Sequence, residues 1–188
     1  MKQAIAGVAP SESSEATVMI VWPSIAAYSS GRFLGRLYSI HWPDIYIFRL
    51  GTLLALASIP HALALYAYRL LPSFFGLPLH GTFYKLTNRR ILELRNEVRF
   101  IARPPFLRFF YAAEIRSVRL DRFDTINIEV QAGQKWFDAG DLVFTKDGVE
   151  TFRLLGVSRP NVFQHICWNS HMAYVGVGKA REKEAAHV

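Results

Sequence analysis

The chain has 188 residues, 51% of them hydrophobic and 14% aromatic, with 22 Lys and Arg against 15 Asp and Glu and a net charge of +7. That length suits one domain with an added element or two very small domains, and the aromatic content excludes an intrinsically disordered chain. The basic balance favours anionic partners, although surplus Lys and Arg also serve simply to orient a membrane protein. The single cysteine, Cys167, rules out an internal disulfide and a cysteine-built zinc cluster; its apolar surroundings predict a buried, inert thiol.

Residues 1–16 read as a disordered polar tail. Lys2 is followed by Ala, Gly and Pro and then by Ser11, Glu12, Ser13, Ser14 and Glu15, which lacks the apolar centre of a secretory signal. Residues 17–45 read as a juxtamembrane segment. Val18 to Trp22 has strand character, stopped by Pro23, and suits either an edge strand of the later domain or a membrane interface. In 29–44, Arg32 and Arg36 among Phe33, Leu34, Leu37 and Tyr38 suit an interfacial amphipathic segment or an ordinary loop.

Residues 46–71 are expected to form a transmembrane or membrane-inserted helix. From Leu50 to Tyr68, 19 consecutive residues carry no formal charge and include six Leu, five Ala and one Ile. At 1.5 Å per residue that is roughly 28 Å of helix, against a hydrocarbon core about 30 Å thick. Arg49 and Arg69 bracket the run, and Trp42, Tyr46, Tyr68, Phe74 and Phe75 flank it as candidate membrane-interface aromatics. Pro60 would kink such a helix, leaving open one span or a re-entrant hairpin. His61, polar at mid-depth, is either functional or a hydrogen-bonding neighbour of the loosened backbone. Four Lys or Arg precede Leu50 and eighteen follow Tyr68, which favours a cytoplasmic C-terminal domain, although close to the span the bias nearly vanishes.

From residue 82 the periodicity becomes that of half-buried strands: Thr82–Thr87, Arg90–Arg95, Ile115–Leu120, Asp124–Val130, Leu142–Thr145 and Thr151–Val157. Asn96, Gly133, Gly140 and Asp147-Gly148 punctuate them, the last as a hairpin signal. Residues 103–113 interrupt the pattern with Pro104-Pro105 and an aromatic run, expected to be a membrane-touching or partner-touching loop. Pro160 opens a final helix, with Phe163, Ile166, Cys167, Ser170 and Tyr174 on one face. Residues 82–175 are thus one domain and 176–188 a charged, frayed tail. The fold class expected is mainly β with a transmembrane helix.

The segment Tyr84-Lys85-Leu86-Thr87-Asn88-Arg89-Arg90-Ile91 resembles the opening of the bacterial pleckstrin-homology-like (PH-like) membrane domain family. Val118–Val130 resembles its central strands, and Phe152–Ile166, with Gly156-Val157 and Pro160, its last strand, turn and closing helix. The resemblance covers about residues 82–172. Asn96 stands where relatives usually have glycine, and many relatives show two hydrophobic spans. It implies a PH-like antiparallel β-barrel or sandwich capped by a C-terminal helix, at a bacterial inner membrane with the domain in the cytoplasm. It implies no activity, since this fold is a general binding scaffold.

No catalytic residue, metal site or cofactor is expected. The six His form neither H-x-x-x-H nor H-E-x-x-H, no G-x-S-x-G elbow is present, and the acids miss calcium-loop spacing. No nucleic-acid motif is visible. The expected function is a non-catalytic, membrane-anchored binding or scaffold module. The alternatives are an anionic-lipid headgroup sensor, an accessory subunit of a membrane protein complex, or a membrane enzyme. Its partners would be membrane lipid, another membrane protein or itself. The candidate headgroup or partner residues are Lys85, Arg89, Arg90, Arg95 and Arg99, because basic side chains near an anionic leaflet contribute about 1 kcal/mol each.

Overall fold

A computed structural model describes residues 15–39, 50–70, 81–100 and 108–186. The elements run β1 (Thr17–Val21), a 3-10 turn (Ile25–Ala27), α1 (Ser29–Tyr38), α2 (Leu50–Leu70), β2 (Thr82–Thr87), β3 (Arg90–Phe100), β4 (Arg108–Arg119), β5 (Thr125–Glu129), β6 (Ala139–Lys146), β7 (Val149–Ser158) and α3 (Pro160–Ala186). Two antiparallel sheets form, one in the order β1-β2-β3-β4 and one in the order β5-β6-β7.

Strand alternation builds the core. Val21, Tyr84, Leu86, Ile91 and Val118 come from the first sheet, Leu120 from the turn after β4, and Ile126, Leu142, Phe144, Phe152, Leu154 and Val157 from the second sheet. Phe163 and Cys167 of α3 close the cluster, both fully buried. Burial pushes the Cys167 thiol up, away from thiolate chemistry. Tyr84 ties the sheets together: its hydroxyl donates to the Leu155 carbonyl at 2.9 Å and accepts the Leu155 N–H at 3.1 Å. The β6–β7 hairpin turns at Asp147 (φ 51°) and Gly148 (φ 78°), the left-handed pair that a tight hairpin needs.

The free edge of β5 is covered by α3. The Gln164 amide donates to the Ile126 carbonyl at 2.6 Å, and His171 Nδ1 to the Leu120 carbonyl, also at 2.6 Å. A helix laid along an edge in this way removes a template for unwanted strand pairing.

The expectation of a mainly β protein with a transmembrane helix is overturned. The chain is mixed α and β, with two antiparallel sheets and three helices. Among the described residues no helix is long and apolar enough to cross a membrane. An integral protein of a bacterial inner membrane is therefore not supported. The sequence reading counted missing charges and gave too little weight to Ser58, Pro60, His61, Tyr66 and Tyr68 inside the run. The helix that does form, Leu50–Leu70, uses one face for protein packing: Leu54, Ser58, Ala62, Leu65 and Tyr68 are half-buried. The Tyr38 hydroxyl of α1 hydrogen-bonds Ser58, and Tyr28 packs edge-on against Tyr68 at 5.9 Å between centroids.

Of the two readings of Val18 to Trp22, the edge strand is the one that forms: β1 is the edge strand of the first sheet, and residues 29–38 are helical. Other segments differ from expectation. Residues 108–113 belong to β4 rather than a loop, and residues 101–107 lie outside the described residues. The closing helix continues to Ala186 through most of the expected tail.

Candidate functional site

The Thr87-Asn88-Arg89-Arg90 segment proves architectural. It forms the β2–β3 hairpin turn, where Thr87 Oγ1 accepts the Arg90 N–H at 3.0 Å and lies 2.7 Å from the Arg90 carbonyl oxygen. Asn88 clasps the start of the chain: its side-chain oxygen accepts the Ala16 N–H at 3.1 Å, and its own N–H donates to the Ala16 carbonyl at 3.1 Å. Arg90 is paired with Glu15 at 2.9 Å and Glu114 at 3.2 Å. The hydrogen bond from Arg90 holds the Glu15 carboxyl below the usual carboxylate range, against the opposing effect of its partial burial.

This clasp has a pH signature. Because the folded pKa of Glu15 is lowered, its contribution is complete above the ordinary value of about 4.3 and disappears as pH falls through the lower folded value. Glu15→Gln is expected to lower stability by about 1 kcal/mol or less at neutral pH. The gap should close in acid, read from urea midpoints over a falling pH series. A gap of constant size would show that the pair contributes nothing electrostatic.

The five basic residues singled out from the sequence do not converge. Lys85 is half-buried on the face of β2 that carries Phe83, in register with Ile20 and Leu92. Arg89 is exposed at the hairpin tip, and Arg90 is occupied as described. Arg95 lies on the opposite face of the sheet from Lys85 and is half-buried, its Nε without a hydrogen-bond partner. Arg99 is opposite Phe109 on β3, and its side chain lies outside the described residues. Of the interface aromatics, Tyr68 is an interhelical packing residue; Trp42, Tyr46, Phe74 and Phe75 lie outside the described residues.

A different surface stands out. On α2, Leu53, Leu56, Ile59, Leu63 and Tyr66 are exposed, with Leu63 at 62% and Leu56 at 56%. Ala57, Pro60, His61, Ala64 and Ala67 are exposed as well. At 100° per residue these positions cover an arc of about 220°, and no residue from 50 to 68 bears a formal charge. Contiguous exposed apolar surface of this kind marks a contact site.

Helix α1 holds α2 to the β scaffold through a glycine crossing. A Cβ on Gly35 would lie 2.0 Å from the Gly133 carbonyl oxygen, and one on Gly133 (φ +94°) would lie 2.0 Å from the Arg32 carbonyl oxygen. Helix and turn therefore meet backbone to backbone, which only glycine permits. The turn is fixed from within by Asp141, fully buried. Asp141 Oδ1 accepts from Gln134 Nε2 at 2.7 Å and from the Gly156 N–H at 2.8 Å, while Oδ2 accepts from Gln131 Nε2 at 2.6 Å.

Beside that crossing, an open groove of about 450 Å³ lies between the end of α1 and residues 130–136. Its lining includes Arg36, Lys135 and Trp136. Trp136 is 55% exposed and packs edge-on against Tyr38 at 5.6 Å, so the groove adjoins the Tyr38–Ser58 contact with α2. A second concavity, about 340 Å³, lies between β5 and α3, lined by Thr125, Ile126, Gln164, His165 and Trp168. Its polar groups are already partnered: Thr125 with Thr145, Gln164 with Ile126 and His165 with Asn169. Among the described residues no three His, Cys, Asp or Glu side chains gather as a metal site.

The sequence reading missed the α1–turn crossing, the Asp141 network and the groove. In sequence Gly133 reads only as a turn signal and residues 29–44 as an amphipathic segment or a loop, and nothing local pairs residue 35 with residue 133. No protein-family model, no curated protein and no solved structure matches the chain.

Proposed function

We propose that the protein is a non-catalytic binding module that docks on a lipid surface from one side, through the exposed face of α2. The observation that carries this reading is the wide uncharged arc from Leu53 to Ala67 on a helix clamped to a rigid β scaffold. A single partner helix needs only a narrow seam, about two positions in seven. An arc covering more than half the circumference is better matched by a fluid that conforms to it. Phe33 at 63% and Trp136 at 55% exposure add exposed aromatic rings of the kind that gather in the headgroup zone. Contact is peripheral and requires no crossing of the bilayer. Kinship with the bacterial PH-like family, carried by Tyr84–Ile91 and the strand–Pro–helix ending, belongs to the same proposal.

The test is co-sedimentation of the purified chain with phosphatidylcholine vesicles. Leu56 and Leu63 are exposed, so Leu56→Glu/Leu63→Glu should leave folding nearly unchanged. Withdrawing two leucines from lipid contact should weaken partitioning roughly 100-fold, from about 1.5 kcal/mol per side chain. Folded wild-type protein that stays in the supernatant, or a double variant that pellets equally well, would refute the reading. A dimer in vesicle-free buffer that the same variant dissociates would assign the face to a second copy instead.

A further inference from the structure

We propose that the groove between α1 and residues 130–136 receives the phosphate of an anionic lipid headgroup, with Arg36 and Lys135 as its cationic contacts. This inference rests on the peripheral lipid reading above and adds a chemical preference to it. The first observation is charge. Among the described residues the groove lining contains two cations and no carboxylate. Arg90, Arg116, Arg119 and Arg153 are each paired with an acid. Among the described residues, by contrast, neither Arg36 nor Lys135 has an ion-pair partner, and both are exposed.

The second observation is orientation. Arg36 Nε donates to the Ala132 carbonyl at 3.2 Å. That bond fixes the plane of the guanidinium while its two terminal nitrogens, unpartnered among the described residues, suit the forked contact with a phosphate. The backbone around it is rigid for reasons already given. The Gly35–Gly133 crossing sets the distance between helix and turn. Gln134 Oε1 accepts the Gln131 N–H at 2.8 Å while both amides bind Asp141. Lys135 follows directly after Gln134, so the two cations are carried on elements whose separation is held by buried contacts. A site held in this way binds with less ordering cost than one on a free loop.

The third observation is position. Trp136 lines the groove and contacts Tyr38, whose hydroxyl is bonded to Ser58 in the middle of α2. An exposed aromatic bordering two cations suits a headgroup zone, where amphipathic rings gather. The same anion chemistry could come from free phosphate, and competition by inorganic phosphate separates the two sources.

The experiment compares binding to phosphatidylcholine vesicles with and without phosphatidylglycerol, using wild type and Arg36→Gln/Lys135→Gln. Wild type should prefer the anionic vesicles by roughly 30-fold, from two basic contacts. The variant should lose that preference while its binding to neutral vesicles is unchanged. Lys135→Gln alone, at an exposed position, gives a partial loss even if the double variant folds poorly. Equal wild-type binding to both vesicles, or a preference that survives in the folded variant, would overturn the headgroup site and leave the α2 contact standing. Failure to bind any vesicle would overturn the lipid reading itself. Competition by millimolar inorganic phosphate as strong as that of the lipid would reassign the groove to a free anion.

Discussion

Replacing Asp141 by alanine is expected to lower stability by about 3 to 5 kcal/mol, because three donors, two buried and one half-buried, lose their acceptor at once. The Gln131 and Gln134 amides and the Gly156 N–H all end on this carboxyl group. Each buried donor left unsatisfied costs about 1 to 3 kcal/mol. Arg153, 3.9 Å from Oδ2, retains Glu129 and Glu150 and so is not orphaned, which keeps the loss from being larger. For a chain of this size the melting temperature should fall by roughly 10 °C. Asp141→Asn should lie between wild type and alanine: it preserves one acceptor oxygen but points an amide donor at another donor. Urea unfolding of the three proteins measures the series. An alanine variant within 1 kcal/mol of wild type would show that water replaces the carboxyl and that the network is not a fastening.

Gly35→Val should be damaging for a steric reason. Its Cβ would lie 2.0 Å from the Gly133 carbonyl oxygen and 2.8 Å from the carbonyl carbon. The obstacle is backbone, so no rotamer change relieves it, and either the helix or the turn must move. Overpacking of this kind costs about 1 to 3 kcal/mol, and the β-branched side chain adds a small helix penalty. The outcome also has a local signature. Displacing α1 should separate Tyr38 from Trp136, now 5.6 Å apart, and change the Trp136 fluorescence. An unchanged spectrum together with unchanged stability would mean that α1 does not seat on this turn.

The strands were legible in the sequence because their signal is local. Thr82–Thr87 alternates as a strand and forms one, although Phe83 as well as Tyr84 and Leu86 is buried, so both faces are covered. Asp147-Gly148 demands positive φ and turns a hairpin, and Pro160 starts a helix. The long arms of β3 and β4 were less legible because Pro104-Pro105 and the aromatic run that follows hid the start of β4 at Arg108. The helical run 50–70 was recognised as a helix but misread as a span, since the sequence shows missing charge and does not show which face packs on α1. The basic residues on β2 and β3 illustrate the same limit. Arg90 and Lys85 share a face of the sheet, yet Arg90 is consumed by Glu15 and Glu114 while Arg95 lies on the opposite face. Arg36 and Lys135, about a hundred positions apart, become neighbours only through two glycines.

The weave of the first forty residues has a consequence for how the molecule assembles. β1 pairs with β2 across more than sixty intervening positions, Ser24 donates its N–H to the Gly156 carbonyl, and α1 seats on a turn centred near residue 133. The segment from Thr17 to Tyr38 thus docks on residues translated from more than sixty to more than a hundred positions after it. Closing such long loops is entropically slow. During translation this segment must wait unpaired, and its docking is a late event in folding.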